Sequence, residues 1–234
     1  MIINIEPWTF GGPMRNGDLI ALLNFIVHLQ KEDANIKIHV PNRSIQTSEY
    51  VIKFRDWLED NTHFLSKEPG THSFSERDVN LWDYRSVTGD LLELNFNKTI
   101  ENKICIFPVI DAPYNVYRNW SIAMINGIID HYMKPEYEGY TKILGMQNID
   151  NRINQQDFVV STDFIQNIEH IITCSHFVGG DTGTSHFAAV LPVKEKLNYY
   201  YGSVGLLHTT PLYALQGKGN INLFWKNNWR TDLL

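Results

Sequence analysis

The sequence predicts an α/β protein with two lobes, each built around a parallel β-sheet. Short apolar runs alternate with amphipathic helical segments from the first residues onward, and a second series of the same kind begins near residue 103. Such alternation is typical of parallel sheets, because each helix carries the chain back to the edge where the next strand starts. The 234 residues are enough for one large domain or two small ones.

The first series of elements predicts an N-terminal lobe over residues 1–100. Leucine and isoleucine recur at 3.6-residue spacing in its first helix, and Asp18 stands at the start of that helix. In chain order, the predicted elements are a strand at Ile2–Ile5, a helix at Leu19–Leu29, a strand at Ile36–Val40, a helix at Tyr50–Leu58 and a strand near Val79–Trp82. Residues 61–98 show little other regular pattern.

The second series predicts a C-terminal lobe over residues 101–234, after a crossover at Asn97–Asn102. Its strands are predicted at Lys103–Pro108, Lys142–Gly145, Phe177–Val178 and Leu197–Tyr201, and its helices at Trp120–Tyr132, Phe164–Ile171 and Thr184–Leu191. We expect the C-terminal tail, Phe224–Trp229, to pack back on the first lobe. Both lobes are therefore expected to be Rossmann-like.

The charge of the chain argues against a nucleic-acid-binding protein. Its formal net charge is −6, and its isoelectric point is near 5.8. Proteins that grip long runs of nucleic-acid phosphate normally carry a basic stripe, whereas lysine and arginine are scattered here. A nucleic-acid partner is therefore disfavoured, although net charge does not report a local basic cleft.

The sequence also predicts a cytoplasmic protein. No run approaches the roughly 20 apolar residues that span a bilayer. The N-terminus is interpreted as a first strand, since it lacks the basic flank and apolar stretch of a signal peptide. Cys105 and Cys174 stand among isoleucines, which predicts reduced thiols in the core. No pattern indicates the oligomeric state.

The most informative segment is Gly179–His186, where a predicted strand enters a glycine-rich turn and then a helix. Glycine lets backbone N–H groups approach an anion, and a helix N-terminus adds unpaired donors with a partial positive charge. Thr182, Thr184 and Ser185 place hydroxyl groups at the same point. These features indicate a diphosphate site. In the alternative interpretation, Asp181, Thr182 and Thr184 only cap a core helix.

The same segment resembles a motif of the bacterial lipopolysaccharide heptosyltransferases, a glycosyltransferase family 9-like group with the glycosyltransferase-B fold. Asp181–Ala189 is similar to the family's Asp-Ser/Thr-Gly-x-x-His-x-Ala pattern, and the preceding helix and following strand match its surroundings. The resemblance implies that the diphosphate of a nucleotide-sugar donor is bound by Asp181, Thr182, Gly183, Thr184, Ser185 and His186. His186 equally suits a structural hydrogen bond inside the loop.

A stretch near the N-terminus resembles a second motif of that family. Asn16–Leu22 is similar to its first-loop Gly-Asp motif, which implies that Asp18 is the catalytic base and that Gly17 borders the donor. Asp18 also has a structural interpretation. An aspartate at a helix start stabilises the helix without taking part in any chemistry.

A third stretch begins the second lobe. Pro108 followed by Tyr117–Trp120 is similar to the family's Pro-x(n)-Lys-x-Trp pattern, with Arg118 in place of the lysine that meets the donor phosphate. Arginine can neutralise a diphosphate as well, and bidentately. The acidic residue that holds the ribose in the family is not obvious here, and Gln147 or Asp150 is the candidate for that place. The nucleotide is therefore left open, and the chain is shorter than is usual for the family.

The resemblance implies a metal-independent, inverting glycosyltransferase that moves a sugar from a nucleotide-diphosphate sugar to a hydroxyl of a glycan or another acceptor. The sequence has no Asp-x-Asp pair and no His/Cys cluster at ligand spacing, so no metal or other cofactor is expected. Hexose, heptose and pentose are not distinguished. The candidate acceptor-surface residues are Arg43, Tyr50, Arg55, Trp82 and Tyr84. The alternatives are a transferase for a hydroxymethylated DNA base, a nucleotide-sugar epimerase or hydrolase, and a non-catalytic nucleotide- or glycan-binding module.

Overall fold

The structure is a computed structural model, and it describes most of the chain. The described ranges are 1–5, 13–74, 94–110, 119–146, 150–155, 157–180, 182–191, 196–201 and 221–225. In the last two ranges, and at Asn24 and Phe74, the description covers the backbone. The chain divides into two compact units at Leu94/Asn95, close to the boundary predicted at residue 100. Each unit is described by itself.

The first unit contains a parallel sheet with α-helices between its strands. Its elements are β1 (Ile2–Ile5), α1 (Asn16–Leu29), β2 (Lys37–His39), a 3-10 turn (Asn42–Ser44), α2 (Glu49–Asn61) and β3 (His72–Phe74). The strand order among the described residues is β2-β1-β3, and both pairings are parallel. The predicted α/β class and the first four predicted elements are thereby confirmed.

The two helices of this unit form because their apolar residues line one face. In α1 four residues of the predicted stripe, Leu19, Leu22, Leu23 and Ile26, are each 0% exposed, and the fifth, Leu29, is partly exposed. In α2 the buried residues include those predicted for its apolar face. Burying one fully apolar side chain contributes about 1.5–3 kcal/mol, so these faces hold the helices on the sheet.

The 3-10 turn joins the carboxyl ends of β1 and β2 to the start of α1. Ser44 Oγ donates to Ile5 O at 2.7 Å, and Met14 N donates to Ser44 O at 2.9 Å. Met14 also forms a parallel bridge with Ile45, and Gln46 N donates to Met14 O at 2.9 Å. The backbone immediately before α1 is thus held by hydrogen bonds on both sides.

Over its described residues, the second unit is built on a six-stranded parallel sheet. Its elements are β4 (Glu101–Phe107), α3 (Ile122–Tyr132), a 3-10 turn (Pro135–Tyr137), β5 (Thr141–Gly145), β6 (Val159–Ser161), α4 (Phe164–Thr173), β7 (Cys174–Gly180), α5 (Gly183–Ala189), β8 (Lys196–Tyr201) and β9 (Ile221–Trp225). The strand order is β6-β5-β4-β7-β8-β9, with every pairing parallel. Counted from β4, this is 3-2-1-4-5-6, the order of the Rossmann fold.

The two faces of this sheet are filled by different side chains. Alternate residues of a strand point to opposite faces, and Ile104, Ile106 and Val178 join the core cluster formed with α3. On the other face, Phe107 and Phe177 stack with ring centroids 5.6 Å apart. Cys105 and Cys174 are both buried and form no disulfide with one another, in agreement with the predicted core thiols.

The structure differs from the predicted elements mainly in the strands. A strand of two residues is predicted at Phe177–Val178, whereas β7 has seven residues. It is longer because it begins at Cys174, directly after the end of α4 at Thr173, and continues to Gly180. β3, β6 and β9 are not predicted at all. β9 includes Phe224 and Trp225, and the rest of the predicted C-terminal tail lies outside the described residues, as does the strand predicted at Val79–Trp82. In the described part of the chain, no helix is both long and apolar enough to cross a membrane.

Candidate functional site

The strand order of the second unit places a topological switch point between β4 and β7. These strands are neighbours, with Phe107 opposite Gly179 at their carboxyl ends. Beyond β4 the sheet continues through β5 on one side, and beyond β7 it continues through β8 on the other. In open parallel sheets, ligands bind outside the carboxyl ends of the strands at such a point. The predicted glycine-rich segment lies there.

Gly180, the last residue of β7, makes a close approach to the loop that follows β4. A Cβ atom at Gly180 would lie 2.5 Å from Val109 Cγ2 and 3.1 Å from Trp120 Nε1. Val109 and Trp120 are themselves joined, since Trp120 N donates to Val109 O at 2.8 Å. A side chain at position 180 would therefore require Val109 to shift, so the available space favours glycine.

Gly179 has the same property on the opposite face of the sheet. A Cβ atom there would lie 2.6 Å from the Phe177 ring, and closer still to Ser185 Oγ. The end of β7 therefore carries no side chain on either face, so that its backbone is close-packed between Trp120 on one side and Ser185 on the other. This explains why two consecutive glycines stand at this position in the sequence.

The start of α5 carries a group of interacting hydroxyls. Thr182 Oγ1 lies 2.9 Å from Thr184 Oγ1 and 3.4 Å from Ser185 Oγ. Thr182 is the N-cap residue, yet its side chain makes no capping hydrogen bond. The backbone of the turn is held instead by Thr182 N, which donates to Gly180 O at 2.9 Å, and by Ser185 N and His186 N, which both donate to Thr182 O at 3.1 Å.

The predicted donor-binding residues of this turn differ in exposure. Thr182, Gly183 and Thr184 are partly exposed, whereas Ser185 is 0% and His186 7% exposed. Direct contact with a ligand is therefore open to the first three residues. Ser185 packs against the end of β7, where it supports the turn from inside.

Asp18 lies in the first turn of α1, as predicted, and it makes a local hydrogen bond. Arg15 N donates to Asp18 Oδ2 at 3.0 Å, which ties the carboxylate to the backbone at the helix start. Asp18 and the adjacent Gly17 are both partly exposed. The structural interpretation of Asp18 therefore has direct support.

Asp150, the candidate for the ribose contact, is engaged by Arg152. Arg152 Nη2 lies 2.6 Å from Asp150 Oδ2, and its Nε lies 2.9 Å from Oδ1. The backbone N of Arg152 also donates to Oδ1 at 3.0 Å. These bonds, led by the side-chain one, lower the pKa of Asp150 to about 2. Both carboxylate oxygens thus have partners within the chain. Gln147, Arg118 and Asp181 lie outside the described residues.

Arg55 proves to be an internal anchor of the first unit, which corrects its interpretation as an acceptor-surface residue. It is 8% exposed. Its Nη1 donates to Val40 O at 2.7 Å and its Nη2 to Asn42 Oδ1 at 2.8 Å, so it holds the turn after β2. Nε lies 2.6 Å from Asp56 and 3.6 Å from Glu59, and burial raises the pKa of Glu59.

The other acceptor-surface candidates divide into described and undescribed residues. Arg43 is exposed and Tyr50 partly exposed, while Trp82 and Tyr84 lie outside the described residues. Sequence reasoning included Gly180 in the predicted diphosphate segment but missed Val109 and the close approach of Val109 and Trp120 to this glycine. A signal for Gly180 was present, because a Gly-Gly pair at a strand end often marks a close backbone approach. Over the described ranges, no three His, Cys, Asp or Glu side chains form a group that could hold a metal ion.

Comparisons with known proteins identify the fold. No family model matches the sequence, and no curated protein matches it. Among solved structures, the E. coli heptosyltransferase WaaC with ADP is similar over 99% of this chain and 95% of its own, with a TM-score of 0.54 and 12% identity. A glycosyl transferase family 9 structure from Veillonella parvula DSM 2008 is similar over 96% of this chain and 85% of its own, with a TM-score of 0.51 and 10% identity.

The similarity extends over nearly the whole of this chain, so it includes both units and not the second alone. At these identities it establishes the fold, and it agrees with the parallel sheets and the strand order. The chain therefore has the two-lobed α/β fold of the heptosyltransferase-like, glycosyltransferase-B type, with Rossmann-like lobes.

Proposed function

We propose that this protein is a glycosyltransferase that moves a sugar from a nucleotide-diphosphate sugar to a hydroxyl acceptor. One observation carries the proposal: the turn at Gly180–Thr184 lies at the switch point of a sheet with the 3-2-1-4-5-6 order, in a fold shared with a heptosyltransferase that was solved with ADP. Fold alone does not establish function. The accessible hydroxyls and close-packed glycine backbone at that point supply the site chemistry.

On the donor side, the diphosphate is proposed to contact the exposed part of the turn. Thr182 and Thr184 offer hydroxyl donors 2.9 Å apart, and Gly183 places a backbone between them that has no side chain to exclude a phosphate. Because Ser185 and His186 are buried, they are proposed to support the backbone of the turn without contacting the diphosphate. Arg118, two residues before Trp120 in the sequence, is proposed as the cation that neutralises the departing diphosphate.

On the acceptor side, Asp18 is proposed as the general base. It removes the proton of the acceptor hydroxyl while that oxygen attacks the anomeric carbon, and the bond from this carbon to the diphosphate oxygen breaks. Such a direct displacement inverts the anomeric configuration, and the nucleoside diphosphate leaves with the negative charge. Proton transfer by a positioned side chain typically contributes 10²–10⁴-fold to the rate. The leaving-group charge is met by Arg118 and the turn, so the reaction is proposed to need no metal.

The proposal is tested by turnover. Purified protein is incubated with a panel of ADP-, GDP-, UDP- and CDP-sugars and with acceptors that include glycans and hydroxymethylated DNA, and release of the nucleoside diphosphate is followed together with the fate of the labelled sugar. Transfer of the sugar to an acceptor with inverted configuration is the expected result. Sugar released only to water, or returned as an epimer, would assign the site to a hydrolase or epimerase instead.

A second candidate function, a non-catalytic nucleotide- or glycan-binding module, is favoured by one observation. The Asp18 carboxylate already caps α1 through Arg15 N, so its presence is explained without catalysis. A binding module should bind a nucleoside diphosphate and release none from any sugar donor with any acceptor. The same panel therefore separates the two functions.

A further inference from the structure

The contact between Trp120 and Gly180 connects the two sides of the switch point. Trp120 lies in the loop that follows β4, and Gly180 ends β7. A Cβ atom at Gly180 would lie 3.1 Å from Trp120 Nε1 and 3.4 Å from Cε2, so the indole edge occupies the space beside this glycine and leaves little room for a side chain. Val109 also borders this space, since its Cγ2 would lie 2.5 Å from the same Cβ atom.

Trp120 is held in place by the core and by the backbone. It is 7% exposed and belongs to the buried cluster of α3, which also includes Val109 and Val178. The backbone N–H of Trp120 donates to Val109 O at 2.8 Å. Trp120 and Val109 therefore lie side by side although ten residues separate them in the sequence. The helix that follows is capped by Ser121, whose Oγ accepts from Met124 N at 3.2 Å. The indole of Trp120 is therefore held in the core beside Gly180.

The turn beyond Gly180 is connected to that residue by the backbone. Its N-cap residue, Thr182, makes no side-chain capping bond, and α5 has only seven residues. The first backbone bond of the turn runs from Thr182 N to Gly180 O, so the position of Thr182 follows that of Gly180. Because close-packed interiors transmit small displacements, a shift of Gly180 is passed to the hydroxyls at the start of α5.

We propose that Trp120 is a positioning residue for the nucleotide-diphosphate site: its indole, together with Val109, sets the place of Gly180 and thereby of the turn that binds the diphosphate. The inference rests on the proposed function. It goes beyond that function because it assigns a role to a buried residue that touches neither donor nor acceptor. It predicts that donor affinity depends on the fit between positions 109, 120 and 180.

The fit is tested by a cycle of size changes. Gly180→Ala adds a methyl group where Val109 Cγ2 now lies, and Val109→Ala removes that obstacle. Wild type is first titrated by calorimetry with ADP, GDP, UDP and CDP, and the tightest of the four is used with every variant. Gly180→Ala alone is expected to weaken binding at least tenfold. The double variant with Val109→Ala is expected to recover affinity to within about threefold of wild type, which additive effects would not produce.

Trp120→Phe tests the same contact without adding volume. A phenyl ring keeps an aromatic side chain in the core but lacks the indole edge beside Gly180. It should weaken nucleoside diphosphate binding about fivefold and raise the donor KM by a similar factor, with the acceptor KM unchanged. Ile128→Val is the control, since Ile128 is 0% exposed in the same cluster. It should lower the midpoint of thermal unfolding without changing the affinity.

Each outcome has a separate meaning. If wild type binds none of the four nucleoside diphosphates, the proposed function is overturned. If wild type binds one, and both Gly180→Ala and Trp120→Phe bind it as tightly, the positioning role is wrong while the proposed function stands. The same conclusion holds if Ile128→Val weakens binding as much as Trp120→Phe, because loss of core stability would then explain the effect. Should Gly180→Ala fail to fold, Trp120→Phe and its control still decide the question.

Discussion

The two units each have a loop that leads from a strand into a helix, and the two helix starts are built differently. α1 has 14 residues, and its own Asp18 accepts a hydrogen bond from Arg15 N. α5 has seven residues, its N-cap residue Thr182 makes no side-chain capping bond, and threonine and serine hydroxyls lie at its start. One start carries a carboxylate that can take a proton, and the other presents neutral donors. The proposed function assigns base chemistry to the first of these helix starts and anion binding to the second.

The largest expected effect comes from the carboxylate at the start of α1. Asp18→Asn removes the base but keeps an oxygen that can accept from Arg15 N. We expect kcat to fall by about 10²–10⁴-fold, with unchanged donor affinity and a loss of stability within about 1 kcal/mol. Steady-state kinetics and urea unfolding measure the two quantities.

A matched control comes from the second unit. Asp163 is the N-cap of α4, and its side chain accepts from Gln166 N at 2.8 Å. Asp163→Asn makes the same chemical change at another helix start, and it should leave kcat unaltered. If both variants retain full turnover, Asp18 is a cap and nothing more.

The second effect concerns the 3-10 turn at Asn42–Ser44, which holds the backbone before α1 in place. Arg55→Met removes the hydrogen bonds to Val40 O and Asn42 Oδ1 and leaves Glu59 with less compensation. Loss of a buried charged hydrogen-bonding group should cost about 3 kcal/mol in the free energy of unfolding. Urea denaturation measures it. Lys53→Met, which breaks an exposed pair with Glu49, should cost less than about 1 kcal/mol. Equal losses in the two variants would contradict the anchoring role of Arg55.

The third effect tests the neutral donors at the start of α5. Thr184→Val removes one hydroxyl with little change of volume, and we expect the donor KM to rise about fivefold, in line with roughly 1 kcal/mol for a hydrogen bond. The matched control is Thr141→Val, since Thr141 is an exposed residue at the amino end of β5. Kinetics with the preferred donor decide between them. An unchanged donor KM in Thr184→Val would move the diphosphate away from this turn.

A smaller effect is expected from Asp150. Its pKa in the folded protein, about 2, lies below the unfolded value of about 3.9. The ion pair with Arg152 therefore stabilises the fold fully above pH 4, and its contribution is lost as the pH falls from about 4 to 2. Because Arg152 is exposed, the effect is small. Asp150→Asn should flatten this limb of the stability curve, as measured by thermal unfolding from pH 2 to 5. A limb that remains equally steep would place the titration elsewhere.

The smallest expected effect is that of removing metal ions. If the turn and Arg118 neutralise the leaving diphosphate, dialysis against EDTA should change the rate of sugar transfer by less than about twofold, since no step depends on a Lewis acid. The assay is repeated after adding Mg²⁺ or Mn²⁺ in excess. A rate that disappears with EDTA and returns with either ion would show that the second helix start needs a cation after all.

Periodic segments could be predicted from the sequence because local spacing determines them. The apolar stripe from Leu19 to Ile26 predicts α1 by itself, whereas the turn predicted at Gly179 and Gly180 is wrong, because both glycines belong to β7. The strands β3 and β6 have three residues each, too few for a pattern, and they exist because they pair with β1 and β5. Pairing between distant segments is a tertiary property, so local sequence does not indicate it.

The candidate site likewise has residues that the local sequence predicts and contacts that depend on tertiary structure. Thr182 and Thr184 follow from the motif itself, as local features do. The placement of Trp120 against Gly180 depends on the order of strands in the sheet, because β4 and β7 are neighbours there although more than sixty residues separate them in the sequence. The burial of Arg55 could not be inferred either, since an arginine on an amphipathic helix is usually solvent-exposed.

Ser44 links two parts of the first unit that are distant in the sequence. Its hydroxyl donates to Ile5 O and its carbonyl accepts from Met14 N, so one residue joins the carboxyl end of β1 to the backbone that leads into α1. Because Asp18 lies only four residues after Met14, the place of its carboxylate relative to the first sheet depends on this small side chain.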